Sequence, residues 1–308
     1  MSIQQLKRSI SKIAHNPLHV FTYMETAGLL DFLPDKAYLH LMYRVKMKKP
    51  LNLKTPSTFN EKLQWLKLYD RKPEYSCMVD KYEAKKYIAE RIGDQYIIPT
   101  LGVWDRFEDI DFSLLPNRFV LKCTHDSGGL VICKDKAKLD VEAAKKKISK
   151  SLKRNYFKHG REWAYKNVRP RIIAEEYMED TETGELRDYK FFAFDGTPRA
   201  LFIATERQNT QTDTRFDFFD MDYNHMDIRN GHPNADTIPA KPRNFEEMKR
   251  LAAVLSKGIP QLRVDFYEVN ERVYFGELTF AHWSGMMPFE PEKWDRIFGD
   301  WIILPARK

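Results

Sequence analysis

Two short apolar runs near the C-terminal end, each broken by one acid, constrain this chain more than any other feature. Leu262–Glu268 and Arg272–Thr279 read as β-strands flanking a turn at Asn270, and Asp265 and Glu277 interrupt them. Strands this close in sequence pair antiparallel, so turn length decides whether the two carboxylates share a face. A two-residue turn at Asn270-Glu271 pairs Val269 with Arg272 and Asp265 with Gly276, which sends Glu277 to the opposite face. An odd loop, Asn270-Glu271-Arg272, or an equivalent bulge sets Asp265 across from Glu277. Asn270-Glu271 lacks the glycine that a tight primed turn prefers. We therefore expect the odd loop or the bulge, because only these join the carboxylates. Opposed side chains have Cβ atoms roughly 4.5–5.5 Å apart, which suits Mg2+, a hard cation that takes oxygen ligands and leaves positions for phosphate. Arg263 leaves the same face as Asp265 by the period of two. The plain alternative is a half-exposed sheet face with a salt bridge.

The rest of the chain repeats the hairpin theme. Tyr189–Phe194, the turn Asp195-Gly196 and Pro198–Thr205 form one predicted hairpin. Upstream, Phe119–Cys123, the turn Thr124–Gly129 and Leu130–Lys134 read as strand, Gly loop, strand, followed by a charged helix over about Asp140–Tyr156 and a strand over Ile172–Met178. Helices are predicted after Ser57 or Thr58, with Glu61 completing a capping box, over Asp80–Ile92 with an apolar stripe stopped by Gly93, and over Asn244–Ser256. Residues 1–50 look helical and amphipathic. The expected class is α+β, with antiparallel hairpins dominating the second half.

The net charge of +7 and a pI near 9.0 favour an anionic partner: nucleotide, nucleic acid, sugar nucleotide or membrane surface. The three scattered cysteines form no disulfide framework, no 18-residue apolar run is present, and Met1–Arg8 lacks a secretory h-region, so a cytoplasmic setting is expected. The chain has no P-loop, no G-x-G-x-x-G, no G-x-S-x-G and no H-E-x-x-H. Lysines crowd Lys134–Arg154, but Asp135, Asp140 and Glu142 intersperse them, which favours a solvated helix face over a patch for an anionic membrane. No nucleic-acid-reading motif accompanies the charge, so no nucleic-acid partner is expected. Asp109-Ile-Asp111 and Asp220-Met-Asp222 match the D-x-D of glycosyltransferases, a rival reading, although two chance matches are expected among 44 Asp and Glu.

Two further features point to nucleotide. Ser127-Gly128-Gly129 between strands can lay backbone N–H groups on phosphate, with Lys122 beside it, although a plain hairpin turn fits the spacing too. Glu175-Glu176-Tyr177-Met178 ends a strand and offers backbone groups and apolar walls to an adenine rim. In order along the chain, Lys and Gly loop, then Glu-Glu-Tyr-Met, then Asp and Glu on neighbouring strands, the set resembles the ATP-grasp superfamily, which includes D-alanine–D-alanine ligase and glutathione synthetase. More narrowly, Thr58-Phe-Asn-Glu-Lys-Leu-Gln-Trp-Leu, Asp80-Lys-Tyr, Lys122-Cys-Thr-His-Asp-Ser-Gly-Gly and Gly276-Glu-Leu-Thr-Phe look like its TupA-like branch, associated with teichuronopeptide and other surface-polysaccharide synthesis. The resemblance covers about residues 50–300.

That resemblance implies an ATP-grasp fold with nucleotide between a small lid and an antiparallel-sheet core: an N-terminal lobe over 1–112, a lid over 113–177 and a core over 178–308. It implies that Lys122 contacts the α- and β-phosphates, that Ser127, Gly128 and Gly129 form a phosphate flap, and that Glu175, Glu176, Tyr177 and Met178 form the adenine hinge. Asp188 matches the acid on the ribose, with Lys190 beside it, and Arg207 a phosphate-contacting base. Asp265 and Glu277 would hold Mg2+, with Thr279 where a second-metal Asn is usual. Arg263 would steady the acyl-phosphate, and Ser284-Gly285 would supply an oxyanion-hole N–H. The implied activity is an ATP- and Mg2+-dependent carboxylate–amine ligase that amidates a sugar acid or joins an amino acid to a glycan precursor. A kinase phosphorylating a sugar hydroxyl on the same frame is the closer rival.

Overall fold

Two antiparallel sheets carry the molecule, ordered β1-β4-β2-β3 and β7-β6-β5-β8-β9 in a computed structural model that describes residues 20–182, 184, 186–206 and 213–307. Arg207 and the first nineteen residues lie outside the described residues. The N-terminal part is helical: α1 (Val20–Thr26), α2 (Asp35–Met47), α3 (Phe59–Tyr69), α4 (Glu74–Val79) and α5 (Glu83–Ile92). The four-stranded sheet holds β1 (Thr100–Trp104), β2 (Phe119–Cys123), β3 (Leu130–Cys133) and β4 (Ile172–Glu176), covered by α6 (Val141–Leu152). The core sheet holds β5 (Asp188–Phe194), β6 (Thr197–Thr205), β7 (Arg215–Asp220), β8 (Leu262–Val269) and β9 (Arg272–Thr279), flanked by α7 (Phe245–Ser256) and α8 (Lys293–Trp301).

Burial explains the layering. Every residue of the central strand β5 is buried, and its phenylalanines supply a core on each face of the sheet. Phe191 packs with Phe245 and Leu251 of α7, while Phe192 and Phe194 meet Phe298 of α8. Phe59 of α3 enters that second cluster edge-on against Phe192, Phe289 and Phe298, at 5.7–5.9 Å between ring centroids. The N-terminus of α3 is fixed by a capping box in which Thr58 accepts the Glu61 N–H and the Glu61 carboxylate accepts the Thr58 N–H.

The structure corrects several sequence expectations. β1, which no sequence pattern marked, pairs with β4, so Thr100–Trp104 belongs to the same sheet as β2 and β3. The helix expected to reach Tyr156 ends at Leu152. Three of the four D-x-D acids are engaged within their own turns. Asp109 binds Arg106, Asp111 caps a short turn at Ser113, and Asp220 accepts the backbone N–H groups of Asp222 and Asn224. Among the described residues no helix is long and apolar enough to cross a membrane.

Candidate active site

The β8–β9 hairpin sets the central geometry. Its turn is the short one: Asn270 and Glu271 both adopt left-handed backbone (φ 49° and 64°), and Val269 pairs with Arg272. That register holds up to Phe266, which pairs with Phe275. Gly276 is then bulged out, and Asp265 pairs with Glu277. The equivalent bulge, not the odd loop, brings the carboxylates together. A Cβ on Gly276 would lie 3.1 Å from the Asp265 carbonyl oxygen and 3.2 Å from the Tyr267 ring, so a side chain there would have to push a neighbour aside by a few tenths of an ångström.

Arg263 ties the acids into one cluster. Its Nε and Nη2 each donate to Asp265 at 2.7 Å, and Nη2 also reaches Glu277 Oε1 and Thr279 Oγ1 at 3.0 Å. Lys190 donates to Asp265 Oδ2 and, at 3.1 Å, to Asp188 Oδ1. Burial alone would push the Glu277 carboxyl up, but Lys190 and Arg263 outweigh it and hold it down at about 2. The third edge of Arg263 is held by a residue that sequence reasoning missed. Its Nη1 donates to His282 Nδ1 at 2.8 Å, and His282 Nε2 lies 2.8 Å from Asn230 Oδ1. Arginine has only donors, so Nδ1 must accept and Nε2 must carry the proton. Burial, then Arg263, drive His282 well below the usual imidazole range, in keeping with a neutral ring. No periodicity marks His282; only the fold brings it to Arg263.

The donor set fits a divalent cation that arrives on phosphate, not one held by protein alone. Among the described residues no group of three or more His, Cys, Asp or Glu can hold a metal. Both Asp265 oxygens already accept from Arg263 and Lys190, while the Glu277 side chain is 37% exposed and the readier ligand. The Thr279 hydroxyl is engaged by Arg263.

On one side of the acids lies a cavity of about 170 Å3 lined by Lys81, Lys85, Lys122, Ser127 and Lys190. Glu175, where the adenine hinge is expected to begin, anchors lysines with its side chain: its two oxygens sit 2.5 Å from Lys85 Nζ and Lys122 Nζ. Although burial opposes it, these cations, Lys122 first, hold the Glu175 carboxyl below its ordinary value. Lys81 donates to the Asp126 carbonyl at 2.5 Å. Sequence reasoning missed Lys81 and Lys85, although Asp80-Lys-Tyr at the start of α5 and the one-turn spacing of the two lysines were signals. In the Gly loop, Gly129 N–H donates to Asp126, Ser127 Oγ meets the Tyr156 hydroxyl at 3.2 Å, and Gly128 lies beneath Arg154.

A second, apolar cavity of about 170 Å3 adjoins the first, lined by Val120, Leu130, Ile132, Tyr177 and Met178. The Arg118 guanidinium sits 4.1 Å from the Tyr177 ring centroid, and the Tyr177 hydroxyl meets Glu179 at 3.0 Å. Glu176 is exposed at its rim, with its backbone N–H on the Pro99 carbonyl. Asp188, expected at the ribose, lines the lysine cavity and not this apolar one.

Beyond the acids a wider cavity of about 640 Å3 opens, walled by Arg263, Glu277, Thr279, Arg154, His159 and Trp283. Trp283 is 40% exposed on this wall. Gly285 lies behind this wall, against Leu63 and Gln64 of α3, while Trp283 and Ser284 face the cavity. Ser127, Lys190 and Glu277 line both this cavity and the lysine cavity, so the acidic cluster stands where the two meet.

Among solved structures, D-alanine–D-alanine ligase from Bacillus anthracis complexed with ATP is similar at 15% identity, with a TM-score of 0.39, over 73% of this chain and 57% of that one. The Helicobacter pylori D-alanine–D-alanine ligase gives 14%, 0.41, 80% and 70%. The ATP-grasp ligase PsnB complexed with minimal precursor gives 12%, 0.41, 73% and 61%. The chain thus spans less than two thirds of two of these three proteins. No curated protein matches it. Residues 61–303 match the family described as TupA-like ATP-grasp, a stretch that runs from α3 through the Gly loop and the Asp265–Glu277 bulge to the end of α8, and the chain belongs to that family.

Proposed function

We propose that the protein is an ATP-dependent ligase that activates a carboxylate as an acyl-phosphate and hands the acyl group to an amine. One observation carries this reading: the acidic cluster on Arg263 stands at the junction of a lysine-lined cavity and a wide open one. The lysine cavity and its apolar neighbour suit the phosphates and base of ATP, and the wide cavity suits an acceptor. Lys81, Lys85, Lys122 and Lys190 bind and orient polyphosphate there. Glu277, with Asp265 behind it, would hold Mg2+, which when bound neutralises charge on the phosphates and polarises the transferred group.

The substrate carboxylate attacks the γ-phosphorus, and the bond from that phosphorus to the departing ADP oxygen breaks. The amine then adds to the acyl carbon, phosphate leaves, and the amine loses its proton. Arg263 can steady both the acyl-phosphate and the developing oxyanion, because its donors are pre-oriented by Asp265 and His282 and need not reorganise. The flap carrying Ser127 excludes water that would hydrolyse the acyl-phosphate.

Within this reading the acceptor is a sugar acid or glycan precursor of surface-polysaccharide biosynthesis, handled in the cytoplasm. The Trp283 ring on the cavity wall gives a pyranose face a surface to pack on, and Arg154 gives an anionic group a partner. The test is ADP release with Mg·ATP against a panel of uronic-acid carriers and amines, with mass spectrometry of products. Amide, ADP and phosphate are expected. A phospho-sugar with ADP would replace the ligase by a kinase, and absence of any Mg·ATP thermal stabilisation of the wild type would remove the nucleotide reading itself.

A further inference from the structure

The Thr58–Leu66 motif touches neither nucleotide cavity nor acids, yet it begins a helix with an unusual interior. Asn60, Gln64 and Lys67 recur at i, i+4 and i+7 on one face of α3, and all three are buried, at 1%, 0% and 6% exposure. A stripe of this kind inside a core costs desolvation unless every polar atom finds a partner. Here most of the partners come from the Ser284–Met287 segment, with Asp295 taking a second bond from Asn60. Asn60 donates to the Met287 carbonyl at 3.1 Å, and Gln64 donates to the carbonyls of Ser284 at 3.1 Å and Gly285 at 2.7 Å. Lys67 Nζ finds Ser284 O at 2.6 Å, Ser284 Oγ at 2.8 Å, Gly160 O at 2.7 Å and Gln64 Oε1 at 3.0 Å. Its three protons are fully used.

The segment so held does not hold itself. Trp283, Ser284 and Gly285 are three consecutive left-handed residues, with φ of 49°, 54° and 59°. Two of them carry a Cβ, and such backbone persists only where its surroundings over-determine it. Gly160, which comes from the segment following α6, is left-handed as well, and a Cβ there would overlap the Ser284 hydroxyl. Gly160, Trp283 and Ser284 all line the wide cavity. One ammonium therefore joins the two walls of that cavity, one contributed from each side, and fixes the backbone on which the Trp283 ring stands. Burial pushes Lys67 down to about 7 against the pull of the neighbouring Glu162, the mark of a charge kept in an expensive place.

We propose that Lys67 is a positioning residue of the wide cavity, holding the left-handed turn Trp283–Gly285 against Gly160, and that the Thr58–Leu66 motif serves to deliver it there. The assignment of that cavity to the acceptor rests on the ligase reading; the positioning role itself is local and can be measured without turnover.

The experiment uses the full chain with Lys67→Ala, followed by hydrogen exchange and mass spectrometry of peptides spanning 281–287 and 157–162. Exchange in both should rise about tenfold or more, and acrylamide quenching of Trp283, isolated by difference against Trp283→Phe, should increase. Added n-propylammonium, which has the three carbons and the nitrogen that the truncation removes, should restore protection, whereas n-propanol should not. Stabilisation by Mg·AMPPNP should be retained, because Lys67 lines no nucleotide cavity. Unchanged exchange at 281–287, or equal rescue by n-propanol, overturns the proposal. If Lys67→Ala does not fold, Lys67→Met keeps the bulk of the side chain and removes the ammonium that reaches Ser284 and Gly160, and unchanged exchange in that variant overturns the proposal equally. A wild type that Mg·AMPPNP does not stabilise would count against the ligase reading alone.

Discussion

Asp265 stands across from Glu277 one residue out of the register that their own turn dictates. The bulge at Gly276 supplies the missing residue, and the Asp265 carbonyl at 3.1 Å from the position of a Gly276 Cβ leaves little room for any other side chain. Gly276→Val should cost about 1–3 kcal/mol in urea unfolding, as overpacking does. It should also abolish the Mg2+-dependent part of AMPPNP stabilisation while sparing the Mg2+-independent part. Titrating Mg2+ against thermal shift reads the difference; a variant with a normal Mg2+ response would show that the bulge does not set the acidic pair.

How much of this was legible in the sequence follows from what is local. The Thr58–Glu61 capping box, the Asp195-Gly196 turn and the apolar runs of β2, β5 and β8 depend on near neighbours, and each was readable. β1, with Gly102 inside it, becomes a strand only by pairing with the distant β4, and β7 only by pairing with β6. The β8–β9 turn shows the limit of turn rules. Asn270-Glu271 has no glycine, yet its left-handed backbone is held by Asp180, which accepts the Asn270 N–H at 2.8 Å, and by Asn244, which donates to the Glu271 carbonyl at 2.9 Å. Those partners come from other elements, so propensity within the turn could not weigh them. Glu175 was readable as a strand-end acid but not as the anchor of two lysines, because Lys85 comes from α5 and Lys122 from β2.

Glu175 and its lysines give a second expectation. Glu175→Gln removes the charge that compensates Lys85 and Lys122 and leaves two partly buried cations, so it should cost about 3 kcal/mol or more. Polyphosphate supplies negative charge to the same lysines. The stabilisation by Mg·AMPPNP should therefore be larger in Glu175→Gln than in the wild type, even as the apo protein melts lower. A smaller nucleotide effect in the variant would mean that these lysines do not face phosphate.

The acid limb of stability should carry a signature of Glu277. Its folded value of about 2 lies below the ordinary 4.5, so between these values the unfolded chain binds more protons than the folded one. The contribution of Glu277 is fully present above about pH 4.5 and is lost as pH falls through about 2. Urea unfolding of the wild type from pH 6 to pH 2 should lose stability more steeply than Glu277→Gln, which has no proton to take up. Parallel pH profiles for the two proteins would contradict the ion-pair account.

His282 offers the sharpest chemical discrimination, because its role depends on a neutral ring that accepts at one nitrogen and donates at the other. Arg263 Nη1 needs the acceptor, and Asn230 Oδ1 needs the donor. A carboxamide carries both functions, whereas an alkyl side chain carries neither. His282→Leu leaves one edge of a buried guanidinium without a partner, a loss of about 1–3 kcal/mol in urea unfolding. His282→Gln should recover most of that loss, although its longer, non-cyclic chain fits the site less closely. The ring should also fail to titrate: burial and the Arg263 charge oppose a proton on it, so its NMR resonances should hold constant down to pH 5 while those of exposed histidines move. If His282→Gln and His282→Leu are equally unstable, the ring fills space and does not orient Arg263. If the resonances of His282 shift between pH 5 and 7, the proton on Nδ1 displaces the Arg263 hydrogen bond, and the arginine is held by the two acids alone.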